Sequence, residues 1–257
     1  MLFSASKSHC GTCHKPLDHN VPHQDEAGAA TVPDDLELEC GCHFHWECMM
    51  GAASRVALSL KCPACSMFVV VGKEWPSITE GFLDTLSGVI MAKYRSAGGR
   101  QEDVDLLPIL TEAVYMKSCP EARLPRALHL LCAKGDVAGM LELLDQNPKP
   151  EELVLSTDPM NNHCGLLHVA VDKQQEKAVW LLLWLASGLP TNAFPSAARE
   201  AIEAMNLSRM HTGQSSDIRN KKDCLGRTAE QIARQKPEAW AALLEAGVLA
   251  EPDRSAM

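Results

Sequence analysis

The stretch CGCHFHWEC, residues 40–48, packs three cysteines and two histidines into nine positions. Upstream, CGTC supplies Cys10 and Cys13; downstream, KCPAC supplies Cys62 and Cys65. A gap of two residues lets both side chains turn onto one tetrahedral metal ion, with a Zn–S bond of about 2.3 Å. His45 and Cys48 repeat that spacing, and Cys40 with Cys42 makes a tighter fourth pair.

Two zinc ions need eight ligands, and nine candidates are present: Cys10, Cys13, Cys40, Cys42, His43, His45, Cys48, Cys62 and Cys65. Using His43 in place of Cys42 would strand a thiolate and break the even pairing. Cys42 and His45 are therefore taken as ligands. His43 is left as an exposed imidazole or as a donor behind the ligands.

Composition supports a metal reading over a disulfide one. The chain of 257 residues holds eleven cysteines, seven of them between Cys10 and Cys65. The start, MLFSASKSHC, has no apolar core of signal-peptide length. The run AVWLLLWLA at 178–186 is too short to span a bilayer. A reducing cytoplasmic or nuclear compartment is expected, where clustered cysteines read as metal ligands. A net charge of −9 argues against nucleic acid as a partner. Aromatics are 5% while Ala and Leu abound, which favours helices.

The ordered pairs 10/13, 40/42, 45/48 and 62/65 resemble the RING-finger family, and CHFHWEC resembles its central ligand core, with Phe44 at the usual aromatic position. Cys42 stands where a histidine is commoner, as in the RING-CH variant. The resemblance implies interleaving. Zinc one would be held by Cys10, Cys13, His45 and Cys48, and zinc two by Cys40, Cys42, Cys62 and Cys65. A PHD finger shares the ligand order, but the residue two before the seventh ligand is Leu60 rather than tryptophan. Family members bind a ubiquitin-conjugating enzyme on a shallow groove. Thr12, Pro63 and Ser66 occupy the positions that would touch that enzyme or its ubiquitin. The family commonly has an aliphatic residue at the first of these and a basic one at the third. Its frequent central-helix tryptophan is Ala52 here.

Around the ligands, 14–39 reads as a surface loop with His14, His19 and His23 solvated. LELE before Cys40 and MFVVVG at 67–72 read as short strands, and MMGAASRVALS as a helix. Helical patterns are expected at about 79–95 and 102–117, separated by SAGGR.

The second half repeats itself. ALHLLCAKGDVAGMLELL (127–144) and LLHVAVDKQQEKAVWLLL (166–183) align on Leu128-His129 and Leu167-His168, each histidine 14 residues before a leucine pair. A third segment, at 223–247, opens DCLGRTA and closes LLEAG. These resemble degenerate ankyrin repeats, helix pairs stable only when stacked. His129 and His168 read as structural, and Cys132 and Cys164 as small core or loop residues. A helix at 196–210 and a polar loop at 211–222 interrupt the array.

The fold class expected is mainly α: a small zinc-stapled cross-brace α/β RING module and an α-helical ankyrin-type solenoid. The domains are 1–72 (zinc module), 73–120 (helical linker or cap) and 121–250 (repeats, with an insertion at about 188–222). The resemblance implies a RING-type ubiquitin ligase with two zinc ions, a conjugating enzyme as partner and a protein substrate on the repeats. The alternative is a non-catalytic zinc-finger adaptor. No catalytic nucleophile set, nucleic-acid surface or membrane segment is expected.

Overall fold

The computed structural model describes residues 9–21, 30–71, 88–210 and 217–252. By internal contacts the chain divides into two compact units, Met1–Pro120 and Glu121–Met257. Helices predominate, joined in the first unit by a small antiparallel sheet.

In the first unit, strands β1 (Asp18–Val21) and β2 (Ala30–Pro33) pair with each other. Strand β3 (Asp35–Leu38) pairs with β4 (His43–Phe44) on one side. Its other side pairs with β5 (Met91–Ser96), which continues into β6 (Gly99–Asp105), giving the order β4-β3-β5-β6. In β3, Leu36 and Leu38 are buried while Glu37 between them is not, the period of two that a half-buried strand requires. Helices α1 (Trp46–Gly51) and α2 (Ala53–Ser59) follow the central ligands. Helix α3 (Leu106–Ser118) is capped by Asp105, whose carboxylate accepts from the Leu107 N–H at 3.1 Å. Its Leu106, Leu110 and Val114, spaced for one helix face, join Leu36, Phe44, Met49, Val56 and Ala92 in a single core.

Four expectations are corrected here. The helix at 79–95 is a strand over its described residues from Met91, and the helix expected from 102 starts at Leu106. MAKYRS alternates, with Ala92 buried and Lys93 and Arg95 outward; Ala97-Gly98 makes the hairpin turn, and Gly99, which opens β6 opposite Ser96, sits at φ +116°. The segment 91–118 is thus part of the sheet and core of the first unit rather than a helical linker. The loop 14–39 is also more structured than a surface loop: Leu17 is buried, and β1, β2 and β3 lie within it. Only isolated bridges, Lys61 with Phe68 and Val71 with Val89, replace the strand expected at 67–72, whose last residue lies outside the described set.

The second unit is built from helix pairs: α4 (Arg123–Lys134) with α5 (Val137–Asp145), α7 (Leu166–Asp172) with α8 (Glu176–Ala186), and α10 (Ala229–Ala233) with α11 (Pro237–Glu245). A short helix α6 (Pro150–Val154) and a two-residue ladder, β7 (Thr157–Asp158) against β8 (Cys164–Gly165), connect the first pair to the second. Gly135, at φ +71°, ends α4, and Asp136 caps α5 through the Gly139 N–H.

Two polar links recur from pair to pair. His129 Nε2 lies 3.2 Å from the Cys164 carbonyl oxygen, and His168 Nε2 lies 2.9 Å from that of Arg227. Cys164 precedes His168 by four positions, as Arg227 precedes Gln231. Likewise Gln175 Nε2 donates to the Ala133 carbonyl at 3.2 Å, and Lys236 Nζ donates to that of Asp172. Each link ties one helix pair to the carbonyls of its neighbour.

Helix α8 is the run that read as strongly apolar. Seven of its residues are buried, because other helices surround it. Among the described residues no helix is long and apolar enough to cross a membrane.

The helix α9 (Ser196–Ala204) stops short of the expected residue 210, and a strap at 205–210 runs on from it. The polar loop is also corrected at its described end. Asp217 and Arg219 are buried, and the Asp217 carboxylate accepts from Arg219 Nη2 at 2.7 Å and from the Gly188 N–H at 2.8 Å. Residues 211–216 lie outside the described set.

Candidate metal centre

The eight candidate cysteine and histidine ligands fall into two groups. One gathers Cys10, Cys13, His45 and Cys48; the other gathers Cys40, Cys42, Cys62 and Cys65. Within each, the four ligand atoms lie within 4.8 Å of one another.

The local backbone explains how the pairs turn inward. The Thr12 N–H points at Cys10 Sγ (3.5 Å), and the His14 N–H donates to the Cys10 carbonyl at 2.9 Å. The other outer pair repeats this: Ala64 N–H to Cys62 Sγ (3.4 Å) and Ser66 N–H to the Cys62 carbonyl (3.0 Å). In both turns the fifth residue is left-handed, His14 at φ +59° and Ser66 at φ +61°. Neither is glycine, so both carry a steric cost that the turn holds in place. The N–H groups aimed at sulfur favour thiolate over thiol.

The two turns also meet. A β carbon on Gly11 would lie 2.9 Å from Ala64 Cβ and 3.2 Å from Phe44 Cε1, and the Gly11 N–H already donates to the His43 carbonyl at 2.7 Å. Only a residue without a side chain fits there.

His45 shows which nitrogen faces the metal position. Its Nε2 lies 2.8 Å from the Pro16 carbonyl oxygen, so that nitrogen carries the proton and donates. The Nδ1 lies 3.2 Å from Cys13 Sγ and 3.7 Å from Cys48 Sγ. Ligands on a tetrahedral zinc are separated by about 3.5 Å for such an N–S edge, from bonds of about 2.0 and 2.3 Å.

The electrostatics call for a cation. Burial, with the negative charge of Cys62 added, pushes Cys40 up to about 12. Burial and the hydrogen bonds shared with Cys13 and Cys10 push Cys48 to about 12 as well. Cys42 is raised as well, by burial and by the charge of Cys62 beside it. Burial also raises Cys10, but backbone N–H groups of Cys13, His45 and Thr12 outweigh it and bring the thiol down to about 6. Several thiols this close resist ionising together unless a dication offsets their charge. Each tetrad could therefore hold one zinc ion.

His43, the ninth candidate, belongs to neither group. It is buried, which removes the exposed alternative, and its Nδ1 lies 2.7 Å from Asp35 Oδ1. Sequence reasoning missed Asp35 as its partner. Thr12 and Ser66 are exposed and Pro63 is half-buried; Thr12 and Pro63 adjoin the touching residues Gly11 and Ala64. The Pro63 carbonyl accepts from Arg55 Nη2 at 3.4 Å. His14 is exposed, the His19 side chain is not described, and His23 lies outside the described residues.

Cys132 and Cys164 are buried, and burial lifts them to about 12 and about 11, the signature of inert thiols. Cys119 and Cys224 join neither tetrad.

No family model, no curated protein and no solved structure matches the chain.

Proposed function

We propose that this chain is a RING-type ubiquitin ligase whose ankyrin-type helical half binds the protein substrate. The observation that carries the reading is the interleaving of the two tetrads around the Gly11–Ala64 contact, which places the turns bearing Thr12 and Pro63 against each other. A conjugating enzyme would dock across those turns. Zinc supplies folding energy there and no chemistry of its own. The chain's residues act by holding a thioester-charged enzyme so that its ubiquitin meets a substrate lysine, a gain in effective concentration and orientation.

The ankyrin reading is supported by the recurrent links in the second unit. The motif histidines reach the carbonyl four residues ahead of the next motif position, and Gln175 and Lys236 repeat a second link. Helix pairs linked in this way transmit stability from neighbour to neighbour.

A second reading, a non-catalytic adaptor with a zinc head, is favoured by two observations. Ala52, at the position where the family often has tryptophan, sits at the break between α1 and α2. Trp46, at the start of α1, is committed to strand β5, its ring 5.0 Å from that of Tyr94. Autoubiquitination of the purified full chain with a panel of conjugating enzymes separates the two. Transfer that disappears with Pro63→Ala supports the ligase; silence across the panel with both zinc ions bound supports the adaptor.

A further inference from the structure

The second unit carries a depression of about 600 Å³ where α5, α6 and the 205–210 strap converge. Its rim presents Glu142, Asp145 and Glu151, all exposed. Among the described residues none of the three forms an ion pair with a lysine or arginine. Its floor is apolar: Leu144 and Leu185 are buried, and Met205, Leu207 and Met210 come from the strap. Met205 leaves 43% of its surface in water.

The floor is held before anything binds. The Trp184 indole donates to the Leu207 carbonyl at 3.0 Å, and the Met210 N–H donates to the Leu185 carbonyl at 2.9 Å. Arg209 also borders the depression, but its guanidinium stacks on Trp184 at 4.3 Å and donates to the Ser187 carbonyl. Its charge is engaged by rings and a carbonyl on its own side, which leaves the carboxylate rim uncompensated.

We infer that this depression docks a basic segment of a partner protein, one that sets a long apolar side chain on the methionine-leucine floor and lysines or arginines against Glu142, Asp145 and Glu151. Two features favour that occupant. Three carboxylates without a lysine or arginine partner among the described residues, one of them (Glu142) accepting only from the Gln146 amide at 3.3 Å, surround a small apolar floor; they complement a cationic segment and repel an acidic one. Methionine adapts to apolar side chains of different shape, as a site for short segments needs. The inference rests on the helical half being a partner-binding half. It requires no ubiquitin transfer.

The test is fluorescence anisotropy on the full zinc-loaded chain with a labelled peptide alternating lysine and leucine. Its two controls carry glutamate for lysine or alanine for leucine. The lysine-leucine peptide is expected to bind, to weaken as salt rises, and to lose about tenfold or more in affinity in the variant Glu142→Lys with Asp145→Lys and Glu151→Lys. Met205→Gln is expected to weaken it without changing the salt dependence. All four residues are exposed, and an unchanged circular dichroism spectrum shows that the fold is kept. Equal binding of the glutamate control, equal binding by the charge-reversed variant, or no binding of the lysine-leucine peptide overturns the inference. A dimer in sedimentation that the charge reversal abolishes also overturns it, by giving the face to a second copy. Absence of ubiquitin transfer bears on the ligase proposal alone.

Discussion

Gly11 and Ala64 stand so close that a methyl group on the glycine would sit 2.9 Å from the alanine's own. They belong to turns serving different metal sites, so this contact fixes how the two sites are braced. Gly11→Ala forces a shift between turns whose cysteines have little freedom. It is expected to cost about 1–3 kcal/mol, the usual penalty for overpacking, and Gly11→Val more. Thermal unfolding with zinc release followed by a colorimetric chelator reads it. A Gly11→Val protein as stable as the wild type would show that the turns do not press on each other.

Elemental analysis of the purified chain should find two zinc ions. Cys42→Ser should lose one of them. His43→Ala should keep both and still lose about 1–3 kcal/mol, because it leaves the Asp35 carboxylate without its buried partner. If His43→Ala instead loses zinc, the ligand is His43.

Burial holds the His168 imidazole below its ordinary value of 6.5, against the opposing pull of the Arg227 carbonyl. A histidine depressed in the folded state stabilises most above its unfolded pKa. Between that value and the folded one, the unfolded chain binds more protons, so stability falls as pH falls. The loss is about 1.4 kcal/mol per pH unit for this residue. The helical unit should therefore weaken below about pH 6.5, well before its aspartates titrate. His168→Gln keeps a donor for the Arg227 carbonyl and should flatten that limb of the pH–melting curve. An unchanged limb would assign it to other groups.

Asp217→Ala leaves Arg219 buried without its carboxylate and frees the Gly188 N–H. Breaking a buried pair on one side costs about 3–5 kcal/mol. Denaturant unfolding of the full chain should show the loss in the helical signal. A change below 1 kcal/mol, expected only for an exposed pair, would contradict the burial of this clasp.

If the chain is a ligase, Thr12→Ile should raise ubiquitin transfer, since apolar area buried against a conjugating enzyme is worth about 25 cal/mol per Å². Ser66→Arg should add a cationic contact to ubiquitin. Position 66 is already left-handed, so arginine inherits the backbone cost that serine carries. Ser66→Gly should relieve it by about 1 kcal/mol. Single-turnover discharge of a charged conjugating enzyme measures the first two, and thermal unfolding the third.

The metal tetrads were legible in the sequence because ligand chemistry is written in spacing: two-residue gaps recur, and parity excludes one of nine candidates. The left-handed fifth residue of each turn was not legible, since histidine and serine give no sign of positive φ. The hairpin at 91–105 was present in the alternation of MAKYRS and in Gly98-Gly99, but a helical period also fits the flanking leucines. The buried Asp217–Arg219 clasp was illegible. Charged residues in a polar stretch read as surface, and only the tertiary packing puts them beneath it.

Strand β3 takes its outer hydrogen bonds from β5, more than fifty residues later in the chain. A shortened clone ending just after the last cysteine pair would therefore keep all eight metal ligands and still fail as a specimen. It would present a raw edge with Leu36 and Leu38 stripped of the α3 side of their core, a template for chain-to-chain pairing. Precipitation of such a fragment would be misread as a weak metal site. A fragment carried through Pro120 keeps the ladder closed.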